Sequence, residues 1–408
     1  WLVMLTFFCS PASAESIRSE TEALEAFFTG SVPPVELFTT EFLQAVPPAK
    51  IKEIASMYHS EIGSWKNSAG ASGSYTLCFD RGEAPCRIHL DQTGRIDGFW
   101  MGAPKHHHDS VASISTTFRA LPGTTAITLT RNQDTILLDH NGDKPLAVGS
   151  AFKLYILKAL RQGIREGKWS ASQTVALNPD WKSLPSGILQ DWPIGTPITI
   201  ETLANLMISR SDNTATDHLL FLVGRETVEK LDPHQNEPFL STMEMFRLKY
   251  LDPIWRTRYL ASTEPAHRRE VLTAMATLPV LLTEIKEDPI EVQNIEWFMT
   301  TRNLCGILRE LREDPSLAIN PGLVDKDKWY RVAFKGGSEP GVLNYTICLQ
   351  KAPASPTYCL SATINQPTQP LETKTFDVLI LRLIALIEKG EIDKMPASVA
   401  SDRENSAK

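Results

Sequence analysis

Ser150-Ala151-Phe152-Lys153 opens an apolar stretch that continues YILKALRQGI. The pattern predicts a helix, and residues i and i+3 of a helix share a face. A hydroxyl therefore stands beside an ammonium at a helix N-terminus, where the dipole also favours developing negative charge. A lysine held against apolar neighbours can lose its proton and act as base toward the serine, a nucleophile–base pair that needs no histidine. Taken alone, S-x-x-K is common by chance, and a serine N-cap with a surface lysine is the simpler reading. Two further groups, in the right order, favour chemistry. Ser211-Asp212-Asn213 lies between the apolar helical runs IETLANLMIS and TATDHLLFLV. It offers a second hydroxyl to relay a proton and an amide to hold a substrate carbonyl. Lys335-Gly336-Gly337-Ser338 then ends a strand-like run. Its glycines allow a ligand to lie along the strand, and its Lys and Ser suit a substrate carboxylate.

The elements that must position these residues are legible as period and punctuation. From Ser110, the helix VASISTTFRAL leads to two strands, TTAITLTR and DTILLDH, turning at Asn132-Gln133. A long helical section fills 150–313, followed by the strands WYRVAFKGG, GVLNYTICLQ and TYCLSATI and a terminal helix, TFDVLILRLIALIEKGEI. The order predicts an antiparallel sheet with helices on both faces. Upstream, three helical stripes (Ala23, Phe27, Phe28; Leu37, Phe38, Phe42, Leu43; Ile51 to Ile62) precede a Gly/Ser/Ala loop at 68–74. Three short strands follow, SYTLCF, CRIHLD and RIDGFWMG. These form a small α+β domain, in which Asp80, Asp91 and Asp97 read as turn residues.

S-x-x-K, S-D-N and K-[TS]-G in this order are the signature of serine β-lactamases and penicillin-binding proteins. GSAFKLYIL, GILQDWPIGTPITIETLANLMISRSDNTATDHLL and FKGGSEPGVLNYT resemble the class A β-lactamase family over about Ser110 to Gly390. The resemblance implies Ser150 as acylated nucleophile, Lys153 as its base and Ser211 as proton relay. It also implies Asn213 as a substrate-amide contact, Lys335 and Ser338 as carboxylate contacts, and the Ser150 and Ser338 amides as the oxyanion hole. Two departures stand out. The third motif reads KGG, without a hydroxyl at Gly336. The segment after S-D-N (LDPHQNEPFLST) is short: Glu237-Pro238 resembles the Glu-Pro that places the family's deacylation base, but no Asn follows at the matching offset. Glu237 is therefore a weak candidate base, and Glu296, in NIEWFMT, reads as structural. With its N-terminal domain, the chain resembles a two-domain group of exported serine hydrolases that includes a protein of clavulanic-acid gene clusters. Their first domain is a cystatin-like cone, similar to steroid isomerases. The implied fold class is thus α+β, a cystatin-like domain followed by a class A β-lactamase-like domain.

Composition narrows the alternatives. The 408 residues are 42% hydrophobic and 22% charged, with net charge −7 and no block of Lys/Arg, so a nucleic-acid surface is not expected. No apolar run is long enough to span a membrane. Trp1 to Ser10 followed by Pro11-Ala12-Ser13-Ala14 reads as a secretory signal peptide cleaved after Ala14, removing Cys9. The absence of a start Met and basic stretch suggests that the sequence begins within it. Expected boundaries are 1–14 signal peptide, 15–104 first domain, 105–109 linker, 110–392 hydrolase domain and 393–408 polar tail. Export permits disulfides, and the hairpin-like spacings of Cys78 with Cys86 and of Cys348 with Cys359 suggest two, leaving Cys305 as a buried thiol. His106-His107-His108 reads as exposed linker. His59, His89, His140, His218, His234 and His267 are scattered, so no metal or cofactor is expected. The expected activity is hydrolysis of an ester, amide or β-lactam through an acyl-enzyme, with poor β-lactam turnover and a small-molecule or peptidoglycan-like substrate. The alternative is a non-catalytic penicillin- or cell-wall-peptide-binding module.

Overall fold

The computed structural model describes residues 18–392, apart from 103, 108, 134, 234 and 235. The signal-peptide expectation with Cys9, the polar tail, His108 and His234 lie outside the described residues. The chain divides into two compact units, 1–109 and 110–408.

The first unit carries α1 (Glu20–Thr29), α2 (Pro34–Leu37), α3 (Thr40–Ala45) and α4 (Pro48–Ile62), then β1 (Trp65–Ala71), β2 (Ser74–Phe79), β3 (Gly82–Leu90), β4 (Ile96–Met101) and β5 (Lys105–His106). Local chemistry sets the helix ends. Ser19 and Glu22 form a capping box, Gly30 at φ 68° ends α1, and prolines open α2 and α4. The sheet runs β1-β2-β3-β4, with β5 on β3, and its core joins Phe27, Phe28, Phe38 and Tyr58 to Leu77 and Phe79. Two expectations are corrected. Residues 68–71 belong to β1, paired with β2, rather than to a loop. This strand is an exposed edge, so nothing in its sequence alternates apolar with polar. Lys105 and His106 pair with Glu83 and Gly82 instead of running free as a linker, because β3 starts earlier than its apolar part suggests.

The second unit begins with α5 (Val111–Arg119), β6 (Thr124–Arg131), β7 (Thr135–His140) and β8 (Leu146–Ala147). Its helical section holds α6 (Lys153–Arg165), β9 (Thr174–Ala176), β10 (Pro197–Thr199), α7 (Ile200–Ser209), α8 (Asn213–Val223), α9 (Arg225–Glu229), α10 (Thr242–Tyr250), α11 (Pro253–Leu260) and α12 (Pro265–Ala274). Then come β11 (Phe298–Met299), α13 (Thr301–Glu310), β12 (Arg331–Glu339), β13 (Val342–Gln350), β14 (Thr357–Asn365) and α14 (Lys374–Glu388). The main sheet is antiparallel throughout, in the order β12-β13-β14-β6-β7. Alternation along its strands feeds two cores. Ile347, Leu349 and Leu360 pack with Phe118 of α5 and Phe376, Ile380 and Leu383 of α14. Ala333, Cys348 and Cys359 face the helical section, against Phe152, Leu304 and Leu308. The expected sheet with helices on both faces is present, and β12 is one of its edges.

The expected disulfides are absent: Cys78, Cys86, Cys305, Cys348 and Cys359 are all thiols. For the first pair the register is the reason. Cys78 lies opposite Glu83 and Cys86 opposite Tyr75. Cys86 points into the core, whereas Cys78 alternates with the fully buried Leu77 and Phe79 and points away. Cys348 and Cys359 do stand directly opposite one another, but the Cys359 thiol donates to the Cys305 carbonyl oxygen at 3.4 Å.

Candidate active site

Val148 leads into a one-turn 3-10 segment, Gly149–Phe152, that delivers the chain to α6. Ser150 sits in this turn and Lys153 is the first residue of α6. Gly149 takes φ +47°, a left-handed backbone that favours glycine, and an added Cβ there would come within 3.0 Å of Ser338 N. Gly337 is tighter still. Its Cβ would lie 2.1 Å from Val148 O and 2.4 Å from Ser150 N. Two glycines thus let edge strand β12 close onto the Ser150 turn, bringing the Ser150 and Ser338 amides to the same wall. Gly336 is confined too, since a Cβ would stand 3.1 Å from Asn344 O and 2.9 Å from the Phe334 ring.

Lys153 is fully buried. Its Nζ donates to Ser211 O at 2.6 Å, Ser211 Oγ at 3.0 Å and Asn213 Oδ1 at 2.7 Å. Ser211 is held at φ +53°, uncommon for a residue with a side chain. Asp212 fixes that turn, accepting from Ala215 N at the start of α8 and from Ile188 N and Leu189 N. Asn213 donates to Leu184 O at 3.1 Å. From the sheet, Lys335 Nζ donates to Ser211 Oγ at 3.2 Å and to Gly336 O at 2.5 Å. The three motifs, distant in sequence, meet at one hydroxyl.

Burial lowers both amines. It pushes Lys153 well below the usual lysine range, and the nearby Lys335 ammonium adds to the effect. Burial lowers Lys335 to about 7. Such an amine is a competent base near neutral pH. The arrangement can remove a proton from a hydroxyl, relay it through Ser211, and offer backbone donors to an oxyanion.

A cavity of about 250 Å³ contains Ser150, Asn213 and Ser338, and is bounded by Thr242, Tyr250 and Trp297 among others. Glu237 does not line it. Glu237 borders a separate cavity of about 80 Å³, with Asn236, Arg268 and Glu296. Trp297 lines both cavities, stacks on Phe152 with centroids 3.7 Å apart, and donates its indole N–H to Leu240 O.

Several residues of the site escape a motif reading. Asp217, buried in α8 and pushed up to about 6 by burial, accepts from Thr242 N, Thr242 Oγ1 and Met243 N, docking the start of α10 against the site. An Asp inside the apolar run TATDHLL was the available signal. Glu296 is buried and ion-paired: it shares Lys249 with Glu339, and Glu339 lines the Ser150 cavity. These three residues form no local pattern.

The sequence model of the Beta-lactamase enzyme family matches residues 110–278. The chain is similar to β-lactamase VEB-1 of Pseudomonas aeruginosa, with 34% identity over 109 residues. That match covers 26% of this chain and spans 36% of the relative's length. Among solved structures, a β-lactamase from Sphaerobacter thermophilus aligns with 70% of this chain and 98% of its own, at 20% identity and TM-score 0.48. The structure of PBP-A aligns with 70% of this chain and 96% of its own, at 14% identity and TM-score 0.46. The family match includes Ser150, Lys153 and the S-D-N turn and stops before β12, so Lys335 joins them by geometry. Residues 110–278 of the second unit are thus similar in sequence to the β-lactamase family, and that match carries two of the three site motifs.

Proposed function

We propose that the protein is an exported serine hydrolase that forms an acyl-enzyme on Ser150 with an ester, amide or β-lactam. Ser150 Oγ bonds to the carbonyl carbon as its proton passes to Lys153 Nζ. When the tetrahedral adduct collapses, the C–O or C–N bond breaks and the proton returns to the leaving group through Ser211. The Ser150 and Ser338 amides hold the oxyanion, Asn213 contacts the substrate amide, and Lys335 with Ser338 contacts its carboxylate. The observation that carries this reading is the fully buried Lys153, one helical turn from Ser150, bound to Ser211 and Asn213 with its amine depressed. A binding module has no need of a lysine with a depressed amine there. The apolar N-terminal run ending in Ala12 and Ala14 supports export.

Slow deacylation is part of the proposal. Glu237 lies in another cavity, and the carboxylate that lines the Ser150 cavity, Glu339, is engaged by Lys249 at 2.8 Å. The test is intact-protein mass after exposure to a penicillin and to a small activated ester, with Ser150→Ala alongside. An adduct on the parent and none on the variant is expected. An adduct on Ser150→Ala would remove Ser150 as nucleophile, and no adduct from either reagent would favour the binding module.

A further inference from the structure

The edge strand beside the nucleophile is electrically polar. Gly337 is the strand residue that meets the Ser150 turn, and Lys335 and Glu339 lie two positions to either side of it. Residues two apart on a strand share a face. The two charged residues therefore flank Ser150 from the same side of β12, with Cα atoms about 13 Å apart. Lys335 donates to Ser211, which hands the proton to the leaving group, so the Lys335 end is the leaving-group end. The Glu339 end is left for the acyl portion, where Phe246, Tyr250 and Trp297 also line the cavity. A carboxylate among aromatic rings suits an organic cation.

What stands behind Glu339 supports the same reading. Lys249 of α10, nearly fully buried, donates to Glu339 Oε2 at 2.8 Å and to Glu296. One ammonium thus serves two carboxyls. Glu296 is buried, its Oε2 has no hydrogen-bond partner among the described residues, and burial together with the Glu339 carboxylate raises it above the usual carboxylate range. With one ammonium between Glu296 and Glu339, the cluster has one more acid than base, and a proton on Glu296 balances it. A cation arriving at Glu339 favours ionisation of Glu296, so the cluster can supply a second negative charge on demand. Glu339 also acts on the Tyr250 phenol and the Lys153 amine, from α10 and α6.

We propose that Glu339, backed by Lys249 and Glu296, receives a positively charged group on the acyl side of the substrate, so that the preferred substrate is dipolar, cationic on its acyl part and anionic on its leaving group. The inference rests on the acyl-enzyme reading for the direction of the substrate along β12.

The test compares two penicillins on the full chain at pH 6: one with a phenylacetyl side chain, and one whose otherwise identical side chain bears a primary ammonium. Intact-mass kinetics should show the ammonium compound acylating on the order of fivefold faster, with the ratio shrinking in 1 M salt. Glu339→Gln should bring the ratio to about one. Calorimetric affinities of the same two compounds for Ser150→Ala give the ratio without any covalent step. Equal rates and affinities on the unaltered Glu339, or a ratio that survives in Glu339→Gln, would overturn the proposal. If neither penicillin acylates the parent chain, the activated ester decides the acyl-enzyme reading, while the affinity ratio still decides whether a cation is received.

Discussion

Lys153 and Lys335 donate to the same oxygen, Ser211 Oγ, at 3.0 and 3.2 Å. Two ammonium ions cannot share so small a buried space without cost. Burial does the larger part: it lowers both amines, and Lys335 adds to the lowering of Lys153. Two lowered amines on either side of one hydroxyl suit a site that must take a proton from one group and deliver it to another.

The two ends of that relay should separate experimentally. Lys153→Ala removes the base next to Ser150 and should cut acylation by about 10²–10⁴-fold with any acyl donor. Ser211→Ala keeps the base but interrupts return of the proton to the leaving group. It should harm poor leaving groups such as amides and β-lactams far more than an activated ester. Parallel acylation rates with a penicillin and a nitrophenyl ester measure the difference, and an equal loss on both would remove Ser211 from the relay.

Stability should rise with pH because of these same lysines. Lys335 titrates at about 7 in the fold, against about 10.4 in an unfolded chain. Below about pH 7 both states hold the proton and no slope results. Above it the native state has released the proton that the unfolded state still binds, so the slope is positive, at most about 1.4 kcal/mol per pH unit. Lys153 acts in the same direction. Urea unfolding of the parent and of Lys335→Met at pH 6, 7, 8 and 9 should show the parent gaining on the variant as pH rises. A constant difference would mean that Lys335 stays charged in the fold.

The residues that do chemistry in short motifs could be read from the chain because their geometry is local. Ser150 and Lys153 are one helical turn apart, and the Ser211 turn is fixed by its own neighbour, Asp212. Lys335 could be placed with them only through the resemblance, since its meeting with Ser211 spans 124 positions. The Lys249, Glu296 and Glu339 cluster spans 47 and 90 positions with no repeated spacing, and nothing in the chain marks it. Cys78 and Cys86 failed for a different reason. FDRGEAP reads as one loop, yet only Asp80 and Arg81 separate β2 from β3. That parity sends the two sulfurs to opposite faces. Cys348 and Cys359 were correctly seen as opposed, but opposition on a sheet is not a bond.

Thiol accessibility checks that arrangement. Cys78 is part-exposed, while Cys86, Cys305, Cys348 and Cys359 are buried. Burial raises the Cys86 thiol to about 12, the hydrogen bond with Cys359 and burial hold Cys348 well above the usual range, and burial with the Cys305 contact does the same for Cys359. A thiol that stays protonated is a poor nucleophile. Limited alkylation of the folded protein followed by peptide mapping should label Cys78 first and the other four only on unfolding. Cys78 resisting label while Cys86 reacts would reverse the assigned faces of β2 and β3.

Turnover is where the displaced Glu237 should be felt. Deacylation needs a water activated beside the ester, and a missing general base costs about 10²–10⁴-fold in rate. Glu237 borders the cavity beyond Trp297, and the loop that carries it is tied down elsewhere: Phe239 N donates to Glu229, and Arg225 donates to Phe239 O. A short swing of Glu237 into the Ser150 cavity would have to pass the Trp297 ring stacked on Phe152. A penicillin adduct on the parent chain should therefore be long-lived, and Glu237→Gln should leave its lifetime within about twofold. Small esters can still turn over, because the departing alcohol opens space for water that a tethered β-lactam product blocks. The measurement is adduct lifetime by intact mass, alongside steady-state penicillin hydrolysis, for the parent and Glu237→Gln. Rapid multiple turnover on the parent, with an adduct trapped by Glu237→Gln, would show that the loop does reach the ester and would restore Glu237 as the base.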